Sequence, residues 1–191
     1  GGVAPGATNV ISGNAASGIW LDNGDGNTIQ GNRIGTNAAG TGIIANDQQG
    51  IFVDIGSDGN TIGGTAPGAG NLISGNNATN TAVSAGIYVL SSNNTIQGNL
   101  IGTDIAGTAN LANNVAGISL TNAAANNFIG GTGASAGNII GFNNGDGVRL
   151  FTAAGSGNAI LGNRIFSNAG DGIDLKNDGI TPNDPAPDSD A

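Results

Sequence analysis

Four aspartates fall in two short turns, Asp22 and Asp25 in DNGDGN and Asp54 and Asp58 in DIGSDGN, with no cation beside them to relieve their mutual repulsion. A hard, oxygen-liganded ion such as calcium would relieve it, though the spacing is neither that of an EF-hand loop nor that of the nonapeptide calcium repeat. Solvated turn acids are the other reading. A second acidic group, Asp174 with Asp178, Asp184, Asp188 and Asp190, is either a further calcium candidate or an acidic linker. The chain holds 13 acids against Arg33, Arg149, Arg164 and Lys176, a net charge of −9. So few cations cannot neutralise a row of phosphates, so no nucleic-acid partner is expected. Histidine and cysteine are absent, which removes the commonest general base, any thiolate ligand or nucleophile, and any disulfide.

These residues sit in a chain of unusual composition. Of 191 residues 37 are glycine and only 9% are charged, yet isoleucine recurs throughout, which separates the chain from disordered sequences. No apolar run is long enough to span a membrane, so no membrane insertion is expected.

Three short beats repeat. The first reads GIWL at Gly18, GIFV at Gly50, GIYV at Gly86, GISL at Gly117, GVRL at Gly147 and GIDL at Gly172. The second is Asn-x-Ile, at Asn27, Asn60, Asn94, Asn127 and Asn158. The third is Asn-x-Ile-x-x-Asn/Asp, starting at Asn9, Asn32, Asn71, Asn99, Asn138 and Asn163 and closing on Asn14, Asn37, Asn76, Asp104, Asn143 and Asn168. Three strand-like beats per period of about 25 to 36 residues predict an all-β, three-faced solenoid of about five to six coils, each beat stacking into its own parallel sheet. In the first beat the second and fourth positions are always aliphatic, so Ile19 and Leu21 are expected to point inward, with Ile29 and Ile34 inside on the other faces. The asparagine ranks predict side-chain amide ladders along the corners, or else mark turns that asparagine tolerates. Glycine is expected to serve turns of positive φ.

A longer period overlies the short one. Residues 1–14, GGVAPGATNVISGN, match 63–76, GGTAPGAGNLISGN, and the insertions GTNAAGT at Gly35 and GTDIAGT at Gly102 mark the intervening coils. Residue 1 falls inside this motif, so the solenoid, expected over 1–176, is read as beginning partway round a coil of a longer one. Residues 177–191, rich in proline and aspartate, are expected to form a cap or linker, because proline cannot donate to another ladder.

With these signatures recurring in order, the chain resembles the right-handed parallel β-helix repeat proteins of the pectate-lyase-like superfamily. The nearer resemblance is to large secreted bacterial surface proteins with repeats of the form GNTIQGNxIGTDxxGT and GGTxPGAGNxISGN, some lying behind a CSLREA-type segment. It covers residues 1–176, and GIDLKNDGITPNDPAPDSD is similar to the closing segment of such arrays. The resemblance implies a right-handed coil, export, and an extracellular or cell-surface location. It does not imply one activity, because the superfamily holds polysaccharide lyases, hydrolases and epimerases beside non-catalytic adhesin stalks.

The third position of the first beat, expected to face outward, reads Trp20, Phe52, Tyr88, Ser119, Arg149 and Asp174 down the coils. Three rings at rung spacing would offer an apolar strip to sugar faces, dock a neighbouring protein surface, or pack across the sheet to stabilise it. Arg149 and Asp174 are expected to be column neighbours and to form a surface ion pair. An enzyme of the resembled superfamily would need a basic side chain over a uronate or paired carboxylates in a groove, and here Arg149, Asp174 and Lys176 are the candidates. Short loops argue against a deep cleft. Threonines at 28, 61 and 95, and at 36, 65, 103 and 132, raise ice binding as a minor alternative, though they lack a Thr-x-Thr pattern. The favoured expectation is a non-catalytic structural and adhesive module contacting polysaccharide or another surface protein, requiring no cofactor and with calcium as the one ion to consider.

Overall fold

The computed structural model describes residues 1–4, 6–77 and 85–176. Asp178, Asp184, Asp188, Asp190 and the remainder of 177–191 lie outside the described residues. Among the described residues there is no helix; every regular element is a strand of two to five residues.

The three beats form three parallel sheets. The third beat supplies β1 (Val10–Ile11), β4 (Arg33–Ile34), β7 (Leu72–Ile73), β10 (Leu100–Ile101), β13 (Ile139–Gly141) and β16 (Arg164–Phe166), hydrogen-bonded in that order. The first beat supplies β2 (Ile19–Leu21), β5 (Ile51–Val53), β8 (Ala85–Val89), β11 (Ala116–Leu120), β14 (Val148–Phe151) and β17 (Ile173–Lys176). The second supplies β3 (Thr28–Ile29), β6 (Thr61–Gly63), β9 (Thr95–Gln97), β12 (Phe128–Gly130) and β15 (Ala159–Leu161). The chain visits the sheets in turn and pairs each strand with its equivalent one coil on, so the described residues form a parallel β-helix of five three-strand coils followed by β16 and β17 of a sixth.

Register follows the beats residue for residue: Ile19, Ile51, Ile87, Ile118, Val148 and Ile173 are successive Cα partners. Inward aliphatics therefore stack in rows, with Ile62, Ile96 and Ile129 on one face and Ile34, Ile73, Ile101 and Ile140 on another, all fully buried. Ile19 and Leu21 on the first rung are half-buried but pack against the same core. Each buried aliphatic contributes about 1.5–3 kcal/mol, so a thin core suffices because it runs uninterrupted along the axis.

The corners are held by amides. Asn99 shows the pattern: its Oδ1 accepts from both the backbone N–H (3.0 Å) and the Nδ2 (2.9 Å) of Asn71 on the rung before. Its own Nδ2 donates to the carbonyl of Ile62 (2.9 Å) and to Oδ1 of Asn138 on the rung after (3.0 Å). This ladder runs Asn9, Asn32, Asn71, Asn99, Asn138, Asn163. A second runs Asn27, Asn60, Asn94, Asn127, Asn158.

The third ladder corrects the sequence reading. Its members are Asn14, Asn46, Asn76, Asn113, Asn143 and Asn168, so Asn37 and Asp104 are not in it. The GTxxxGT insertions loop out directly after β4 and β10, and the chain regains the corner nine residues later, at Asn46 and Asn113. Asn37 and Asp104 instead close the loops: Asn37 Oδ1 accepts from the Thr41 N–H at 3.0 Å, and Asp104 Oδ1 from the N–H groups of Thr108 (2.8 Å) and Ala109 (2.9 Å). Those backbone donors hold the Asp104 carboxyl below its ordinary pKa. The loops fold over the third-beat sheet, where a Cβ on Gly40 would meet Leu72 at 2.9 Å. Leu72, outward-facing by register, is thereby buried.

Gly18, Gly50, Gly86, Gly117 and Gly147, which open the first beat on five successive coils, have a reason other than positive φ. A Cβ on Gly18 would lie 2.7 Å from the Gly50 carbonyl oxygen and 2.9 Å from Asn46 Nδ2, so space beside the ladder, not a left-handed backbone, demands glycine there. Gly31 and Gly98, which follow the second beat, do adopt φ of 62° and 65°.

Asn46 is fully buried, and its removal would strip partners from both nitrogens of Asn14, the Ile11 carbonyl and Asn76 Oδ1. Asn46→Ala is expected to cost about 3 kcal/mol in denaturant unfolding, and Asn37→Ala less than about 1 kcal/mol. Equal costs would contradict the reassigned ladder.

Candidate functional site

The outward column of the first-beat sheet divides into two halves. In the upper half Trp20, Phe52 and Tyr88 are Cα partners on consecutive rungs. Their rings stack, with centroids 5.8 Å apart for Trp20–Phe52 and 5.7 Å for Phe52–Tyr88, both at 21° between planes. Such spacing falls within the range of offset-stacked aromatic pairs. Trp20 is 59% exposed, while Phe52 and Tyr88 are half-buried. The indole is held in place by its polar edge, Nε1 donating to Asp54 Oδ2 at 3.1 Å.

The four turn acids lie beside this column, where each accepts a hydrogen bond from the chain itself. Asp22 Oδ1 accepts from Asn23 Nδ2 (2.9 Å), Asp25 Oδ1 from the Asp58 N–H (2.7 Å), and Asp58 Oδ1 from the Ser92 N–H (2.8 Å). Asp54 Oδ1 caps the Ile55 N–H at 2.7 Å. Asp25 and Asp58 thus pass hydrogen bonds from rung to rung as the corner asparagines do.

The lower half of the column is closed. Ser119, Arg149 and Asp174 continue the register, and all three are buried, so the ion-pair site expected at the surface is not exposed. The ion pair recorded for Arg149 runs to Asp146 Oδ2, at 3.8 Å and three residues earlier on the same rung. The guanidinium also reaches Ser119 Oγ at 3.5 Å and lies over the Phe151 ring, 4.8 Å from its centroid. Lys176 follows Asp174 by two residues on β17, pairs in register with Phe151, and its carbonyl accepts from Thr152 Oγ1 at 3.0 Å.

Among the described residues, one group of three carboxylates brings its oxygens within 4.8 Å of one another: Asp146, Asp171 and Asp174. Of the three, Asp174 is a candidate in the sequence and Asp146 is not. The available signal was the Gly-Asp-Gly triplet that precedes the first beat in the last two coils, at 145–147 and 170–172.

Thr28, Thr61 and Thr95 stand in register on the second-beat sheet, where Phe128 and Ala159 continue the column. Thr36 and Thr103 are fully buried at the bases of the insertion loops. The threonines therefore do not form one face.

Comparison with protein-family models, with curated proteins and with solved structures finds no match.

Tyr88 is the only tyrosine, so its ionisation can be followed alone. Burial pushes its phenol above the ordinary 10.0, and the positive charge of Arg149 partly offsets that rise. An ultraviolet pH titration is expected to give a midpoint above 10.0, moved higher by Arg149→Gln. Because the folded pKa is the raised one, this group's effect on stability is constant below the unfolded value and becomes destabilising as pH rises from there through the folded pKa. A midpoint at or below the ordinary value would contradict the half-buried placement.

Proposed function

We propose that this β-helix is a non-catalytic structural and adhesive module of an exported bacterial surface protein, which contacts polysaccharide through Trp20, Phe52 and Tyr88. The observation that carries the reading is the stacked ring column, with Trp20 59% exposed and braced by Asp54 and with Phe52 and Tyr88 half-buried. Sugar rings offer weakly polarised C–H faces and a rim of hydroxyls, and they suit a surface on which aromatic rings stand beside carboxylates and amides. Asp22 and Asn23, both exposed in the turn next to Trp20, supply such polar groups. A protein surface would bury the same rings but would not need the carboxylates around them.

Export and cell-surface location rest on the sequence resemblance to the right-handed β-helix surface proteins. The continuous core and three ladders suit a stiff spacer, in which each coil is braced by both neighbours. The burial of Arg149 and Asp174 favours a packing role for them over contact with a polymer.

Binding to a panel of neutral and uronate-containing polysaccharides, measured for the parent and the Trp20→Ala/Tyr88→Ala double variant, tests the reading. At least one glycan is expected to bind the parent and to lose tenfold or more in affinity with the double variant, about 1.4 kcal/mol, while circular dichroism stays unchanged. A double variant that binds as the parent does, or a parent that binds none of the panel, would overturn the glycan assignment. Release of unsaturated or reducing ends from any polymer would overturn the non-catalytic assignment and direct attention to Arg149, Asp174 and Lys176.

A further inference from the structure

The lower end of the first-beat sheet carries a charge arrangement that the glycan reading leaves unused. On β14 and the residue triplet before it, Asp146 and Arg149 are three residues apart and form an ion pair at 3.8 Å. On β17 the same two positions, one rung further on, are Asp171 and Asp174. Translation by one rung therefore sets an acid beneath Arg149 and a second acid beneath Asp146. Where the upper rung pairs an acid with a cation, the lower rung pairs two acids.

Three observations bear on what this cluster can hold. The oxygens of Asp146, Asp171 and Asp174 lie within 4.8 Å of one another. Asp174 is only 6% exposed, and its Oδ1 is buried and accepts no hydrogen bond. By contrast Asp146 is oriented, its Oδ1 accepting from the Asp171 N–H at 2.9 Å, which ties the two Gly-Asp-Gly turns together. A buried carboxylate oxygen with no donor is costly unless a cation or donor reaches it.

We propose that Asp146, Asp171 and Asp174 bind one divalent cation of the calcium class, closing the last rung of the sheet as Arg149 closes the rung above. Calcium accepts carboxylate oxygens at about 2.3–2.6 Å, so two ligands on opposite sides of the ion stand about 4.8 Å apart, the distance within which these three oxygens lie. Magnesium needs ligands at about 2.0–2.1 Å in near-ideal octahedral geometry, which a looser set of three fits less well. The guanidinium of Arg149 pairs with the Asp146 carboxylate, and a divalent ion would set positive charge beside Asp171 and Asp174 as well. This ligand set is distinct from the four turn acids beside the ring column, each of which already accepts a hydrogen bond from the chain. The proposal does not depend on what the ring column binds.

Calorimetric titration of the full chain, stripped with a chelator, with calcium chloride and separately with magnesium chloride provides the test. One calcium per chain is expected, at least tenfold tighter than magnesium, with a Tm higher in calcium than in chelator. Asp171→Asn and Asp174→Asn are expected each to weaken calcium binding tenfold or more, and Asp58→Asn to leave it unchanged. If Asp174→Asn fails to fold, Asp174→Ser serves in its place, since the column already buries a serine at Ser119. No heat and no Tm change with calcium would overturn the site, as would binding that Asp174→Asn or Asp174→Ser leaves intact or Asp58→Asn abolishes. Equal affinity for magnesium would overturn the calcium-class assignment.

Discussion

At most corners of the coil, an asparagine oxygen takes two hydrogen bonds from the preceding rung, one from a backbone N–H and one from a side-chain nitrogen, as Asn138 Oδ1 does from Asn99. Corners are where a solenoid's backbone leaves its sheets and loses ladder partners, and a buried amide there would otherwise stand unsatisfied. Stacked asparagines solve this with the one uncharged side chain short enough to carry both an acceptor and two donors to the same spot. They also fix register: a slip of one residue would break each corner at once and turn every inward isoleucine to the outside. The thin core, the scarcity of charge and the glycines that open the first beat on five successive coils are consequences of keeping rungs close enough for these amides to meet.

Register in turn places everything chemical. Because equivalent residues lie one above another, a side chain that recurs becomes a column and a change of residue type becomes a local event in that column. Trp20, Phe52 and Tyr88 make a stack by repetition, whereas the change from Arg149 to Asp174 concentrates acid at one end. The same sheet thus presents open rings at its first rungs and buried charge at its last. The arrangement separates two different kinds of surface with no change of fold.

Most of the fold could be read from the repeat, because a solenoid encodes its structure locally. Isoleucine spacing gave the inward rows, the order of the beats gave the three sheets, and the outward column was assigned residue by residue. What could not be read was where an insertion returns the chain to its corner. Asn37 and Asn46 are both plausible ladder members in the sequence, and only the hairpin-like bridge between Thr36 and Ile43 shows that the first is carried outward. Burial of Arg149 and Asp174 was equally hidden, since the alternation of a strand tells which way a side chain points but not what covers it. The Asp146–Asp171–Asp174 group was hidden because Asp146 lies on one coil and Asp171 and Asp174 on the next, so that the three meet only when two coils are stacked.

The central claim, that each strand pairs with its equivalent one coil away, predicts specific hydrogen bonds that scalar couplings across N–H···O=C can detect directly by nuclear magnetic resonance. Couplings are expected from the amide nitrogens of Leu72, Leu100, Ile139 and Arg164 to the carbonyl carbons of Asn32, Asn71, Asn99 and Asn138 respectively, pairs separated by 2.8–2.9 Å from nitrogen to oxygen. Couplings shifted by one or two residues, or a reciprocal pattern between neighbouring beats as in antiparallel hairpins, would contradict the account.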